Sequence, residues 1–180
     1  MREDARVQPV SPYGVTKLAA EHLCQLYQSN YGVPAVSLRF FTVYGPRQRP
    51  DMAFHRFIRA AYAGTPITLF GDGEQSRDFT YVADIVAALE AAGDRGTPGG
   101  VYNIGGGSRV TVNHVLELIE RVTGRPLIVQ RQPAEKGDMR DTFADTARAR
   151  HDLGFVPRHS LEEGLAAEAV WLSGVSGATR

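Results

Sequence analysis

The apolar positions of this chain alternate between helical and strand spacing. Val15, Leu18, Ala19, Leu23 and Leu26 recur at helical intervals. Tyr13, Lys17, Ala20 and Cys24 form a second stripe nearly opposite, with polar residues between the two. Ser11 then Pro12 supplies an N-cap and a first-turn residue, and Gly32 and Pro34 stop the pattern. The spacing predicts a helix from Ser11 to about Asn30, buried on two sides: against the domain and against a second subunit. Residues 35–40 predict a buried strand, being too short and β-branched for a helix. Beyond a loop at 42–51, an amphipathic helix is predicted over 52–63, closed by Gly64 and Pro66. Strands follow at 67–70, 77–82, 101–104 and 127–130, and helices at 83–92, 112–123, 146–153 and 161–173. Thr111 is the cap of the helix at 112. Strands alternating with helices imply an α/β fold.

Composition narrows the function classes. The 180 residues carry 20 basic and 20 acidic side chains, a balance that offers no electrostatic footprint for a nucleic acid or an anionic membrane. The single cysteine, Cys24, excludes an internal disulfide framework and a Cys-based zinc site, and its expected role is a small buried helix residue. His22, His55, His114, His151 and His159 lack metal-ligand spacing, so no metal is expected. His22 falls on the apolar stripe and reads as a core histidine. No apolar run is long enough to span a bilayer, and the charged start lacks a signal-peptide core. A soluble cytoplasmic protein is the expectation.

One pair stands out against this background. Eighteen of the basic residues are arginine and two are lysine, yet Lys17 stands four residues after Tyr13. On a helix that spacing places both on one face. The ammonium favours phenolate, lowering the phenol from its ordinary value near 10 toward a range where it can exchange protons with a hydroxyl. With seven tyrosines and two lysines, chance pairs at this spacing number roughly 0.08. The bland alternative is a surface pair on an ordinary helix.

Five segments in order resemble the extended short-chain dehydrogenase/reductases, the nucleotide-sugar epimerases and dehydratases. They are Ser-Pro-Tyr-Gly-Val-Thr-Lys at 11–17, Leu-Arg-Phe-Phe-Thr-Val-Tyr-Gly-Pro-Arg at 38–47, Gly-Asp-Gly-Glu-Gln-Ser-Arg-Asp-Phe-Thr-Tyr-Val-Ala-Asp at 71–84, Tyr-Asn-Ile-Gly-Gly-Gly at 102–107 and Lys-Gly-Asp-Met-Arg-Asp-Thr-Phe-Ala-Asp at 136–145. The resemblance covers nearly the whole chain, but only the C-terminal half of such enzymes. It implies that Tyr13 is the acid/base for a sugar hydroxyl, and that Lys17 holds the nicotinamide ribose of NAD. Phe40 and Phe41 would line the nicotinamide–sugar junction, or simply fill the core, and Tyr44 has the same two readings. Thr42 and Arg49 match positions around a sugar carboxylate in the UDP-glucuronate 4-epimerase branch. Arg77 matches an arginine on the substrate diphosphate, and Asp138 an acid on the nucleotide ribose. Glu135 stands where the family often has a second arginine.

The same resemblance implies a division of the chain. Residues 1–64 would be a remnant of the Rossmann-type cofactor domain, with loop 42–51 on the substrate side. Residues 65–180 would mainly form a small α/β substrate domain, with segments near 77–104 returning to the cofactor-domain sheet. Gly105-Gly106-Gly107 lacks the spacing of a dinucleotide-binding loop, and no such loop precedes Tyr13. NAD would therefore be bound mainly by an absent N-terminal half, and the isolated chain is expected to be inactive. A homodimer through the Tyr13–Lys17 helix and a UDP-linked substrate complete the expectation. The alternatives are a 4,6-dehydratase or decarboxylase of the same family, a non-catalytic nucleotide-sugar-binding module, and an unfolded truncation product.

Overall fold

A computed structural model describes residues 1–107, 109–134 and 140–177. The chain order is α1 (Pro12–Tyr31), β1 (Ser37–Phe40), β2 (Val43–Tyr44), α2 (Ala53–Ala63), β3 (Pro66–Phe70), β4 (Ser76–Asp78) and β5 (Thr80–Tyr81). There follow α3 (Val82–Arg95), β6 (Val101–Ile104), β7 (Arg109–Thr111), α4 (Val112–Thr123), β8 (Ile128–Gln132), α5 (Ala147–Leu153) and α6 (Leu161–Gly177). β1 pairs with β6, β2 with β5 and β3 with β8, all in parallel, while β4 and β7 are antiparallel. The architecture is the expected α/β one.

Local chemistry sets the helix ends. The Ser11 hydroxyl accepts the Gly14 N–H at 3.1 Å and Gly32 closes α1 in the left-handed region. Thr111 accepts the His114 N–H at 3.2 Å to start α4. α6 opens with a reciprocal cap: Glu163 accepts the Ser160 N–H at 2.8 Å and Ser160 accepts the Glu163 N–H at 3.2 Å. Those Ser160 contacts hold the Glu163 carboxyl below its ordinary value.

Two cores form. The larger joins α2, β3, α4 and α6 through residues such as Phe54, Ile58, Leu69, Ile119, Leu165 and Leu172. The smaller joins α3, β6 and α5 through Ile85, Ala88, Tyr102, Ile104, Leu153 and Phe155, with Leu38 and Val43 packed against it. The helix α2 belongs to the first core, so a division at residue 64 cuts through one interior.

Five expectations need correction. α1 has no buried residue, and Tyr13, Val15, Leu23 and Leu26 are all exposed, because among the described residues its stripes are covered only in part, leaving Leu18 half-buried. His22 is exposed and Cys24 is half-buried for the same reason. β1 is half-buried with Phe40 exposed, since β6 is the strand paired with it among the described residues. Within the expected loop 42–51, Val43 and Tyr44 form β2.

Candidate active site

The Tyr13–Lys17 pair is formed as its spacing requires. The Lys17 Nζ lies 5.5 Å from the centroid of the Tyr13 ring, and Tyr13 is 71% exposed. α1 is tied to β1 by a forked ion pair, with Arg39 donating to the two Glu21 carboxylate oxygens at 2.7 and 2.8 Å. A third donation reaches the Glu3 carbonyl at 3.3 Å. The Glu21 hydrogen bond raises Arg39 further above its ordinary value.

Three hollows gather most of the sequence candidates. The first, of about 600 Å³, is lined by Tyr13, Lys17 and Phe40 together with Arg39 and Glu21. The second, of about 370 Å³, is lined by Tyr13 and Arg49 with the 43–48 segment, Met52 and Val82. The third, of about 340 Å³, brings Thr42 and Arg77 together among Phe54, Phe70 and Phe79. Tyr13 thus stands on the wall shared by the first two, whereas Thr42 and Arg49 line different hollows. Arg49 is held by Asp51 at 3.1 Å and donates to the Met52 sulfur at 3.7 Å, with most of its side chain exposed. The Arg77 guanidinium donates to the Ser76 and Arg140 carbonyls at 2.9 and 3.2 Å. Phe41 lines none of the three: it is half-buried and its N–H continues the β1–β6 ladder to the Ile104 carbonyl at 3.0 Å. Asp138 and Glu135 lie outside the described residues.

Tyr44 resolves to core. It is 2% exposed, packs edge-on against Phe54 and Phe79, and donates to the Ser160 carbonyl at 3.2 Å. Burial pushes its phenol well above the ordinary value. Asp84 is buried and makes a long-range tie, accepting the Arg158 and His159 amides with the His159 ring nitrogen 2.9 Å away, while Asp145 accepts the Ala147 N–H at the start of α5.

The wall between Tyr13 and Arg49 is a tight turn. The Gln48 N–H donates to the Gly45 carbonyl at 3.0 Å, with Pro46 second and Arg47 third. Arg47 has φ 70°, the left-handed value such a turn demands at its third residue, where glycine or asparagine is usual. An arginine there costs on the order of 1–2 kcal/mol. Gly45 is itself required: its φ is 134°, and a Cβ would lie 2.8 Å from Val82. The Gln48 side chain fastens the turn to both neighbours, donating to the Val43 carbonyl at 3.1 Å and accepting the His55 N–H at 3.0 Å.

Sequence reasoning missed two buried acids behind these walls. Asp78 is 0% exposed and accepts the Gly106 and Ala144 amides at 2.8 and 3.1 Å, joining the glycine loop to the 140–145 segment beside Arg77. Burial raises its carboxyl in spite of those amides. Glu168 is also 0% exposed and accepts the Gly45 N–H at 3.0 Å. Its other oxygen, Oε1, has no hydrogen-bond partner among the described residues. Burial raises its carboxyl to about 7, opposed by the Gly45 bond. The available signal was its place in the helical stripe Leu165, Glu168, Ala169, Leu172, where an acid is out of pattern.

An α/β chain whose hollows meet at a Tyr-x-x-x-Lys helix defines an enzyme class of the extended short-chain dehydrogenase/reductase type. The chain belongs to the NAD dependent epimerase/dehydratase family, whose profile matches residues 1–105. It is 47% identical over 172 residues to the "Uncharacterized UDP-glucose epimerase YtcB" of Bacillus subtilis (strain 168), covering 95% of this chain and 54% of that protein. Against the UDP-glucuronate 4-epimerase of Thermodesulfobacterium geofontis (strain OPF15) it is 40% identical, over 94% of this chain and 53% of the relative. The crystal structure of UDP-glucuronic acid 4-epimerase from Bacillus cereus, in complex with UDP-glucuronic acid and NAD, superposes with a TM-score of 0.91 at 42% identity. That match covers 96% of this chain and 56% of the other. The chain spans about half the length of the curated relatives it matches.

Proposed function

We propose that these residues form the sugar-handling part of an NAD-dependent nucleotide-sugar 4-epimerase acting on a UDP-linked hexose or uronate. The observation that carries this reading is the position of Tyr13 on the wall common to two hollows. One of them holds Lys17 and Phe40, the other Arg49. A phenol so placed can take a proton from a sugar hydroxyl on one side while remaining next to a dinucleotide on the other. The residues present suit the nicotinamide–ribose end of NAD: an ammonium with three donors, a phenol and an exposed aromatic ring, Phe40, around about 600 Å³. NAD, when bound, supplies the acceptor and donor of the hydride at the sugar carbon. No Gly-rich strand–helix turn for its pyrophosphate occurs in these 180 residues, so that cradle belongs to further polypeptide.

The chain's own residues divide the remaining work. Tyr13 removes the hydroxyl proton and returns it after the ketone has turned over. Lys17, alongside its ring, stabilises the phenolate and holds ribose hydroxyls. Arg49, in the hollow it shares with Tyr13, meets the uronate carboxylate, for which a guanidinium fork is suited. Thr42, in the hollow it shares with Arg77, contacts another part of the substrate. Arg77 meets the diphosphate, exchanging its present carbonyl partners for phosphate oxygens, and Asp138 accepts from ribose hydroxyls. Residues at the start of the chain, through β2, belong with the cofactor side, and α2 groups with the substrate-side core. The exposed apolar stripes of α1 suit a homodimer contact. No helix among the described residues is long and apolar enough to cross a membrane, which accords with a cytoplasmic enzyme.

Calorimetric titration of the chain with UDP-glucuronate, UDP and NAD tests the reading. UDP and UDP-glucuronate are expected to bind, and NAD to bind weakly or not at all. When joined to a dinucleotide-binding half, the protein should turn over UDP-glucuronate. Tyr13→Phe should then cut kcat by about 10²–10⁴-fold. Turnover by the isolated chain, or failure of UDP to bind, would overturn it.

A further inference from the structure

We propose that Glu168 is a positioning residue: its buried carboxylate clamps the Gly45–Gln48 turn and thereby sets where Arg47 and Arg49 stand in the hollow they share with Tyr13. The inference rests on reading that hollow as the sugar site. Glu168 sits on α6 between Leu165 and Ala169, in the interior of the larger core. An apolar side chain would fill that place at lower cost, because an acid buried with one oxygen unpartnered is expensive. What an apolar side chain cannot do is accept the Gly45 N–H, the first amide of the turn that carries the strained Arg47. Among the described residues this bond joins an α6 side chain directly to the turn. It acts together with Gln48, which fixes the opposite end of the turn to His55.

The clamp is also sensitive to protonation. Glu168 titrates at about 7 because burial outweighs the Gly45 bond. The ionisable groups brought toward it by its packing neighbours are Tyr44 on β2, Tyr81 on β5, His55 and Tyr62 on α2 and Arg121 on α4. Tyr44 donates to the Ser160 carbonyl, Tyr62 to the Ala169 carbonyl, and Arg121 to Glu162. Asp84 is occupied by the 158–159 amides, and Glu163 on the same helix by Ser160. None of these donates to Glu168; its charge acts on the Gly45 amide, which it binds, and on the nearby Tyr44 phenol, which it helps to raise. Gly164, one helical turn before Glu168, is also required, because a Cβ there would lie 2.6 Å from the Tyr44 and Tyr81 rings. α6 is therefore seated directly against β2, which leads into the turn, and β5 beside it.

The test uses the 180-residue chain labelled for NMR, followed from pH 5.5 to 8.5, with UDP-glucuronate as the binding probe. The Gly45 amide proton should move downfield with the Glu168 carboxyl at a midpoint near 7, and the Arg47 and Gln48 amides should follow. Probe affinity should change several-fold across the same midpoint, and Glu168→Gln should flatten both profiles. The unsubstituted chain alone decides the matter if that variant fails to fold. A Gly45 amide that ignores the Glu168 titration overturns the inference. So does an Arg47 backbone signal that stays fixed while Gly45 moves. Absence of probe binding at every pH overturns the sugar-site reading instead, and the amide titration then decides the clamp.

Discussion

Helices α1 and α4 begin and end alike, yet lie in opposite surroundings. Each starts at a hydroxyl N-cap and stops at a left-handed glycine, Ser11 and Gly32 for one, Thr111 and Gly124 for the other. α4, at 12 residues, buries Val115, Leu116, Leu118 and Ile119, whereas α1, at 20 residues, buries none. Caps are satisfied by neighbours within one turn, so they form wherever the sequence supplies them. Burial needs a partner surface, and for α4 that surface is α2 and α6. α1 is held instead by polar ties, chiefly the Arg39–Glu21 fork.

The sharpest way to break the contrast is to remove the same kind of atom from each helix. Ile119→Ala, at a position 0% exposed, should cost about 2–5 kcal/mol in urea unfolding. A second perturbation acts through the partner helix α6. The Glu168 carboxyl is raised from 4.5 to about 7 in the folded chain, so between those values the folded state holds a proton that the unfolded state has released. Stability from this group is fully present below about 4.5 and lost as pH rises through about 7. The loss is on the order of 3 kcal/mol, measured as the difference between the chain and Glu168→Gln across that range. The smallest effect is expected on α1. Leu23→Ala, at a position 54% exposed, should change stability by less than about 0.5 kcal/mol. If a second copy covers α1 in solution, that cost should rise toward the Ile119 value and depend on protein concentration.

The same contrast explains which features could be read from residue order. The bounds of α4, the Ser11 and Thr111 caps and the Gly64 stop are decided within a few residues, and the sequence reading located them. β7 was missed because Arg109-Val110-Thr111 has little strand pattern of its own and is extended by pairing with Ser76–Asp78, over thirty residues earlier. The stripes of α1 correctly signalled apolar faces, but periodicity records what a face could bury and says nothing of what covers it. At the candidate site, the Tyr13–Lys17 face followed from spacing alone. The separation of Thr42 from Arg49 into different hollows did not, because the Gly45–Gln48 turn that lines the Arg49 hollow depends on contacts with α3 and α6.

The strand pairing has a consequence for how the molecule can be taken apart. Ser37 is matched with Val101, and Pro66 with Ile128, so each ladder closes around residues that serve the other. One interior draws on 44–79, 112–129 and 161–172, the other on 85–104 and 149–155. The backbone is therefore interlaced like two hands with crossed fingers. A single protease nick or recombination junction anywhere between 37 and 172 leaves each of the resulting pieces without part of an interior it needs.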